Sequence, residues 1–253
     1  MKDGFRLSDT HAHLGTAKHS GRVHDTDRLL RAMDAAGVDR AMLIPFPVVE
    51  DMRREHDLIG AAVRAYPDRF SGAACIDPFL PESDFRSELT RCREVLALRA
   101  LKLQPQYQPL NPLSARAETF FGSAAEFGLP VIAHTGTGVP FSLPSLFIAP
   151  ARKFPHLTIV LGHAGGSVYM LESIVAASVC PNICIELSSL MPHHVLEILQ
   201  HVPASRLMAG ADLPESLQTE LYKILTLEIP VEDKRAILWE TGRRVFDAEP
   251  ANL

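Results

Sequence analysis

The sequence predicts an α/β protein, a single (β/α)8 TIM barrel taking in residues 1–253. Three observations carry that expectation. Eight short apolar runs recur along the chain, segments of helical period lie between them, and polar residues collect at the carboxyl end of nearly every run. A continuous apolar run bounded by turn residues is how a strand buried on both faces reads. The runs begin roughly 25 to 35 residues apart, the length that one strand, one returning helix and two loops require. An open doubly wound sheet would use one switch point, whereas a barrel brings all its strand ends to one mouth. The spread of polar residues over most strand ends favours the barrel.

In chain order the expected strands are 6–11, 40–45, 70–76, 99–103, 130–134, 158–163, 182–187 and 206–210. Between the first two, residues 27–36 place Leu29, Leu30, Met33 and Ala36 on one stripe and stop at Gly37, as a helix with a glycine terminator does. Residues 115–127 repeat the pattern with Phe120, Ala124 and Phe127 inward and Gly128 at the end. Later helices are expected at 192–201, 216–227 and 233–246, and residues 104–113 form a proline-rich loop. No repeat, low-complexity tract or linker divides the chain, which predicts one domain.

Composition sets the class. The chain is 47% hydrophobic and 22% charged, enough apolar material for a large core. Its net charge of -5 and the lack of a basic run interleaved with aromatics argue against a nucleic-acid partner. No window approaches the ~20 apolar residues that span a bilayer, and residues 1–8 hold no signal-like stretch. A soluble, cytoplasmic protein acting on a small molecule is expected, with oligomeric state open and a homo-oligomer included. Cys75, Cys92, Cys180 and Cys184 lack the spacing of a disulfide framework or a zinc knuckle and read as reduced core thiols.

The tightest chemical signal is Asp9-Thr10-His11-Ala12-His13. Residues two apart on a strand face the same way, so His11 and His13 project together toward the barrel axis and can share one metal ion. Three further polar residues end apolar strands, where they are costly to bury without a purpose: His134 after the fifth, His163 after the sixth and Asp212 after the eighth. Lys102 and Gln104 on the fourth and Glu186 on the seventh complete the ring, with Asp77 after the third. His19, His56, His156, His193, His194 and His201 read as surface residues, while His24 lies on a first loop that would overhang the mouth.

With these motifs in place the chain resembles the amidohydrolase superfamily, in particular its amidohydrolase-2 branch. The resemblance rests on Asp9 to His13, on Leu101-Lys102-Leu103-Gln104-Pro105, on His134-Thr135-Gly136, on Gly162 to Gly166 and on Ala211-Asp212-Leu213-Pro214, with a closing Glu240-Thr241-Gly242-Arg243-Arg244-Val245-Phe246. It departs from the pattern at Gln104, where histidine is common, at Ala211 in place of serine and at Thr241 in place of asparagine.

The resemblance implies that His11, His13 and His134 bind a divalent metal, with Asp212 as a further ligand or as the acid/base beside it. It also implies that His163 contacts metal-bound water or substrate. Zinc is the first choice of metal and manganese the second, with one ion favoured over two. Lys102 reads as an anion anchor or as a site lysine of open state, since in some relatives a fourth-strand lysine is carboxylated and bridges two metals. Gln104, Glu186 and His24 read as further substrate contacts. The leading expectation is hydrolysis of a small lactone, ester or amide by a metal-activated water. The alternative is metal-dependent, non-oxidative decarboxylation of an aromatic or unsaturated carboxylic acid, set second because such enzymes tend to be longer. A non-catalytic barrel comes third, since the ligand set is complete.

Overall fold

The computed structural model describes residues 2–247. Eight parallel strands follow one another in chain order: β1 (Ser8–Thr16), β3 (Arg40–Pro45), β4 (Phe70–Ala74), β5 (Ala100–Leu103), β6 (Val131–His134), β7 (Ile159–Gly162), β8 (Ile183–Glu186) and β9 (Leu207–Met208). A two-residue strand, β2 (Val23–His24), folds back antiparallel on the end of β1. The sheet closes on itself. Thr10 N donates to Ala209 O, Asp212 N to His11 O and His13 N to Asp212 O, so the segment after β9 pairs with β1. The protein is a (β/α)8 barrel, as its sequence predicts.

Strand alternation divides the side chains into two cores. One parity packs outward against the helices, as do Leu43, Leu101, Val131, Leu161 and Ile185. The other fills the interior with Met42, Ile44, Ala73, Ala100, Ile132, Val160, Cys184 and Met208, and Phe246 plugs the lower end. Two residues further along the same parity stand Lys102, His134, Gly162 and Glu186. The apolar interior thus gives way to a polar layer at the carboxyl ends of the strands.

The helices are α1 (Thr26–Ala36), α2 (Met52–Ala65), α3 (Glu82–Thr90), α4 (Ala115–Glu126), α5 (Ile148–Lys153), α6 (Gly166–Val179), α7 (Pro192–Leu199), α8 (Leu217–Thr226), α9 (Val231–Arg235) and α10 (Thr241–Phe246). Local chemistry fixes their ends. Asp25 caps α1 by accepting from Arg28 N, and Gly37 ends it at φ 75°. Ser114 caps α4 through Ala117 N. Single π-helical turns widen two runs: Arg91–Val95 follows α3, and Ala236–Glu240 joins α9 to α10. The helix expected at 233–246 is therefore real but interrupted. All four cysteines are free and buried.

One expectation is overturned. His56 is buried, not at the surface: its Nε2 accepts from Cys75 N at 2.9 Å, and its Nδ1 lies 2.8 Å from Glu88 Oε1. Arg53 and Arg91 also donate to Glu88, and Cys92 Sγ approaches it at 3.6 Å. Because a backbone N–H can only donate, His56 carries its hydrogen on Nδ1 and has no lone pair left for a metal, although the His56, Glu88 and Cys92 donors cluster within 4.8 Å. The cluster pins α2 and α3 to the end of β4. Burial alone would raise the Glu88 carboxyl, but His56 and Arg91 outweigh it and hold it at about 2.

A carboxyl depressed in the folded state adds stability above its unfolded range and loses it as pH falls through the folded value. Glu88→Gln should therefore cost about 2–3 kcal/mol at neutral pH, read from urea midpoints, and the gap from wild type should narrow as pH falls from about 4.5 toward about 2.

Candidate metal centre

Each polar side chain at the mouth is aimed by a partner that fixes its proton. His13 Nδ1 faces the carbonyl oxygens of Ile44 and Pro45 at 3.2 and 3.1 Å. Carbonyls only accept, so Nδ1 carries the hydrogen and Nε2 presents a lone pair to the barrel axis. His11 is held the same way, its Nδ1 donating to Glu186 Oε2 at 3.0 Å. Its Nε2 accepts from Lys102 Nζ at 2.9 Å.

Asp212 completes the group. Its Oδ1 lies 3.3 Å from His13 Nε2 and 3.7 Å from His11 Nε2, and one donor atom from each of the three residues falls within 4.8 Å of the others. The Nε2 lone pairs of His11 and His13 and the Asp212 carboxylate are turned toward one another, and the Lys102 ammonium answers the one on His11; a metal cation placed among the three would take over from Lys102 there. Burial would raise this carboxyl, yet the histidine group around it, His13 first, holds it well below the usual range. The donor set of His11, His13 and Asp212 fits a divalent ion, with nitrogen and oxygen ligands of the kind zinc or manganese accepts.

His163 and His134 stand beside this group. His163 Nδ1 donates to Ser188 Oγ at 2.7 Å, whose hydroxyl passes its own hydrogen to Glu186 Oε2, leaving His163 Nε2 bare at 4.0 Å from Asp212 Oδ1. His163 stacks on His11 with centroids 4.7 Å apart, and His134 meets His163 edge-on at 4.9 Å. Burial lowers His163 to about 3 and His134 to about 4, so both rings are neutral. His134, expected as the third histidine of the group, donates through Nε2 to Thr137 O at 2.8 Å, and its nitrogens are not among those that cluster.

The remaining expected contacts are all buried. Glu186 lies beneath the site, accepting from His11, from His163 N and from Ser188 N and Oγ, and so orients both rings. Gly210 makes that possible: a Cβ there would meet Glu186 Oε1 at 2.5 Å and His11 Cβ at 2.9 Å. Lys102 is fully buried, and desolvation lowers its ammonium to about 8. Gln104 is buried with its Oε1 unpartnered. His24 is buried too, its Nδ1 against His13 O at 3.2 Å and its ring beside Phe46.

Sequence reading named Asp9 without giving it a task. Its Oδ1 accepts from His11 N at 3.0 Å and from Ala211 N at 2.9 Å, buckling β1 to the turn that carries Asp212. Burial pushes its carboxyl up to about 8, so at neutral pH it holds these bonds mostly uncharged. Three residues around the site, His163, Ser189 and Asp212, sit at φ 64°, 63° and 65°. That left-handed region is uncommon outside glycine, and such strain gathers where function requires a particular aim.

Comparison with known proteins accords with this arrangement. The fold matches 5-carboxyvanillate decarboxylase from Sphingomonas paucimobilis at TM-score 0.78 and 17% identity, over 97% of this chain and 100% of that one. It matches 5-carboxyvanillate decarboxylase from Novosphingobium aromaticivorans, complexed with manganese and 4-hydroxy-3-methoxy-5-nitrobenzoic acid, at 0.81 and 17% over 98% and 97%. It matches 2,6-dihydroxybenzoate decarboxylase from Rhizobium at 0.77 and 17% over 96% and 99%. No curated protein matches in sequence. At such identities these likenesses concern the fold, but a family profile described as amidohydrolase matches residues 8–248, and the chain belongs to that family.

Proposed function

We propose that the chain, acting as one catalytic domain, is a metal-dependent, non-oxidative decarboxylase of an aromatic or unsaturated carboxylic acid. The observation that carries this reading is the buried Lys102 ammonium set against a cluster able to hold a cation, which together make a receptor for a small carboxylate. The solved decarboxylases support it, and one binds a nitrobenzoic acid with manganese. Their chains are matched over 97–100% of their length.

The residues have the following parts. His11, His13 and Asp212 would hold the divalent ion, manganese or zinc, with His134 next to them. Bound there, the ion supplies a Lewis acid that offsets substrate charge. Lys102 anchors the substrate anion, Gln104 offers its free carbonyl, and Glu186 with Ser188 keeps His11 and His163 in the useful tautomer. Asp212, whose side chain is 32% exposed, can exchange a proton with solvent. An anionic substrate beside it raises its proton affinity, and it then returns that proton to the ring carbon as the carbon–carboxylate bond breaks and carbon dioxide leaves. His163, neutral with its Nε2 lone pair turned toward Asp212, can accept a hydrogen bond from that carboxyl while it carries the proton.

Hydrolysis of a small lactone, ester or amide is the second reading. One observation favours it: the resting Asp212 is ionised and ready to take a proton from water.

The metal-loaded enzyme, given hydroxybenzoates and a panel of lactones and esters, should release carbon dioxide from the former. Ring opening or ester cleavage without carbon dioxide would move the assignment to hydrolysis. Asp212→Asn should lower turnover roughly 100- to 10,000-fold with the fold intact by circular dichroism. His11→Ala should lose bound metal by elemental analysis. Burying a lysine that holds its proton poorly costs stability below its folded value and not above its unfolded one. Lys102→Met should therefore stabilise the metal-free protein by about 2–3 kcal/mol at pH 7, with no gain above pH ~10.5, while turnover collapses.

A further inference from the structure

Lys223 of α8 is buried and its neighbour Glu220 nearly so, although an ammonium and a carboxylate are costly to bury unless their bonds are all made. Here they are made. Lys223 Nζ donates to Leu187 O at 2.8 Å, to Leu190 O at 2.9 Å and to Glu220 Oε2, which uses every hydrogen of the ammonium. Glu220 Oε1 accepts from Ser189 N at 3.0 Å. One ion pair on α8 therefore grips the backbone of Leu187, Ser189 and Leu190, the segment that leads from β8 to α7. Ser189 sits inside the grip at φ 63°, a left-handed conformation that a serine adopts at a cost.

We propose that Lys223 and Glu220 are positioning residues for His163, acting on it through Ser188. Ser188 stands between the gripped backbone groups. Its hydroxyl accepts from His163 Nδ1 at 2.7 Å and donates to Glu186 Oε2 at 3.0 Å, so the place of that oxygen decides which nitrogen of His163 carries the hydrogen. A buried ion pair is a poor way merely to stabilise a loop, because apolar side chains of like volume do as well. What it adds is direction, since charged donors and acceptors hold two carbonyls and one N–H in a single arrangement. Glu186 fixes Ser188 from within the barrel, accepting its N at 2.6 Å, and the ion pair fixes it from outside. Without the grip, Ser188 Oγ is free to turn, and His163 can carry its hydrogen on Nε2, the atom that faces Asp212. The ring would then donate to Asp212 instead of accepting from it. The effect on turnover rests on the decarboxylase reading, whereas the tautomer does not.

The tautomer is read by NMR from the ring nitrogens of zinc-loaded protein whose histidines carry heavy nitrogen, with His163→Gln identifying the signals. Wild type should show the His163 hydrogen on Nδ1. Lys223→Met should move the Nδ1 signal toward that of a bare nitrogen and lower kcat about 10- to 100-fold, with KM little changed because Lys102 still anchors the substrate. Glu220→Gln, which keeps one acceptor and loses the charge, should move the signal the same way by less, and it carries the test if Lys223→Met fails to fold. Asn182→Ala is the control. Asn182 Nδ2 binds the carbonyls of Ala151, Phe154 and Leu157 at the opposite end of β8, so its loss should destabilise the barrel and leave the His163 signals and kcat unaltered. A wild-type His163 with its hydrogen on Nε2 overturns the proposal. So do folded Lys223→Met and Glu220→Gln variants that keep the wild-type signals, or an Asn182→Ala that moves them equally. An enzyme that opens lactones and releases no carbon dioxide overturns the decarboxylase reading alone, since the ring signals still report on the grip.

Discussion

An imidazole can offer one nitrogen to a cation only when its other nitrogen has somewhere to place a hydrogen. That constraint organises the mouth of this barrel. His13 rests its hydrogen on two backbone carbonyls of β3, His11 on Glu186 of β8, and His163 on Ser188 just beyond β8. Neighbouring strand ends therefore supply both the rings and the acceptors that aim them. Glu186 is the hinge of the arrangement, since one carboxylate steadies two rings and the turn bearing His163. Removing it would disturb several aims together, which is why it weighs more than its buried position suggests.

The barrel was legible in the chain because a strand buried on both faces must be apolar throughout, and all eight such runs were found within a few residues of their observed bounds. Helices α1 and α4 were legible through period and the glycine just beyond each, Gly37 and Gly128. Helix α6 was not, because it lacks a polar face and so has no period to detect. The strand β2 is too short to carry a pattern, and α2 and α3 came without a glycine stop.

Within the site, His11, His13 and Asp212 could be anticipated from spacing and family likeness, and they do converge. The buried carboxylates resisted reading. Glu186 looked like a contact at the rim, since nothing along the chain distinguishes a substrate contact from a group that orients another side chain. Asp9 and His56 illustrate the same limit. Their partners, Ala211 and Cys75 among them, are backbone groups, and a backbone N–H leaves no trace in the choice of amino acid.

The seam between β1 and the segment after β9 joins residues 202 positions apart through Asp9 and Ala211. The bonds that close the cylinder are also those that bring Asp212 beside His11 and His13. Closure of a loop that long comes late in folding, after its more local neighbours have paired. The cation site is consequently absent from any partly assembled sheet, and a nascent chain has no competent ligand cluster to capture a stray ion until its last strand is in place.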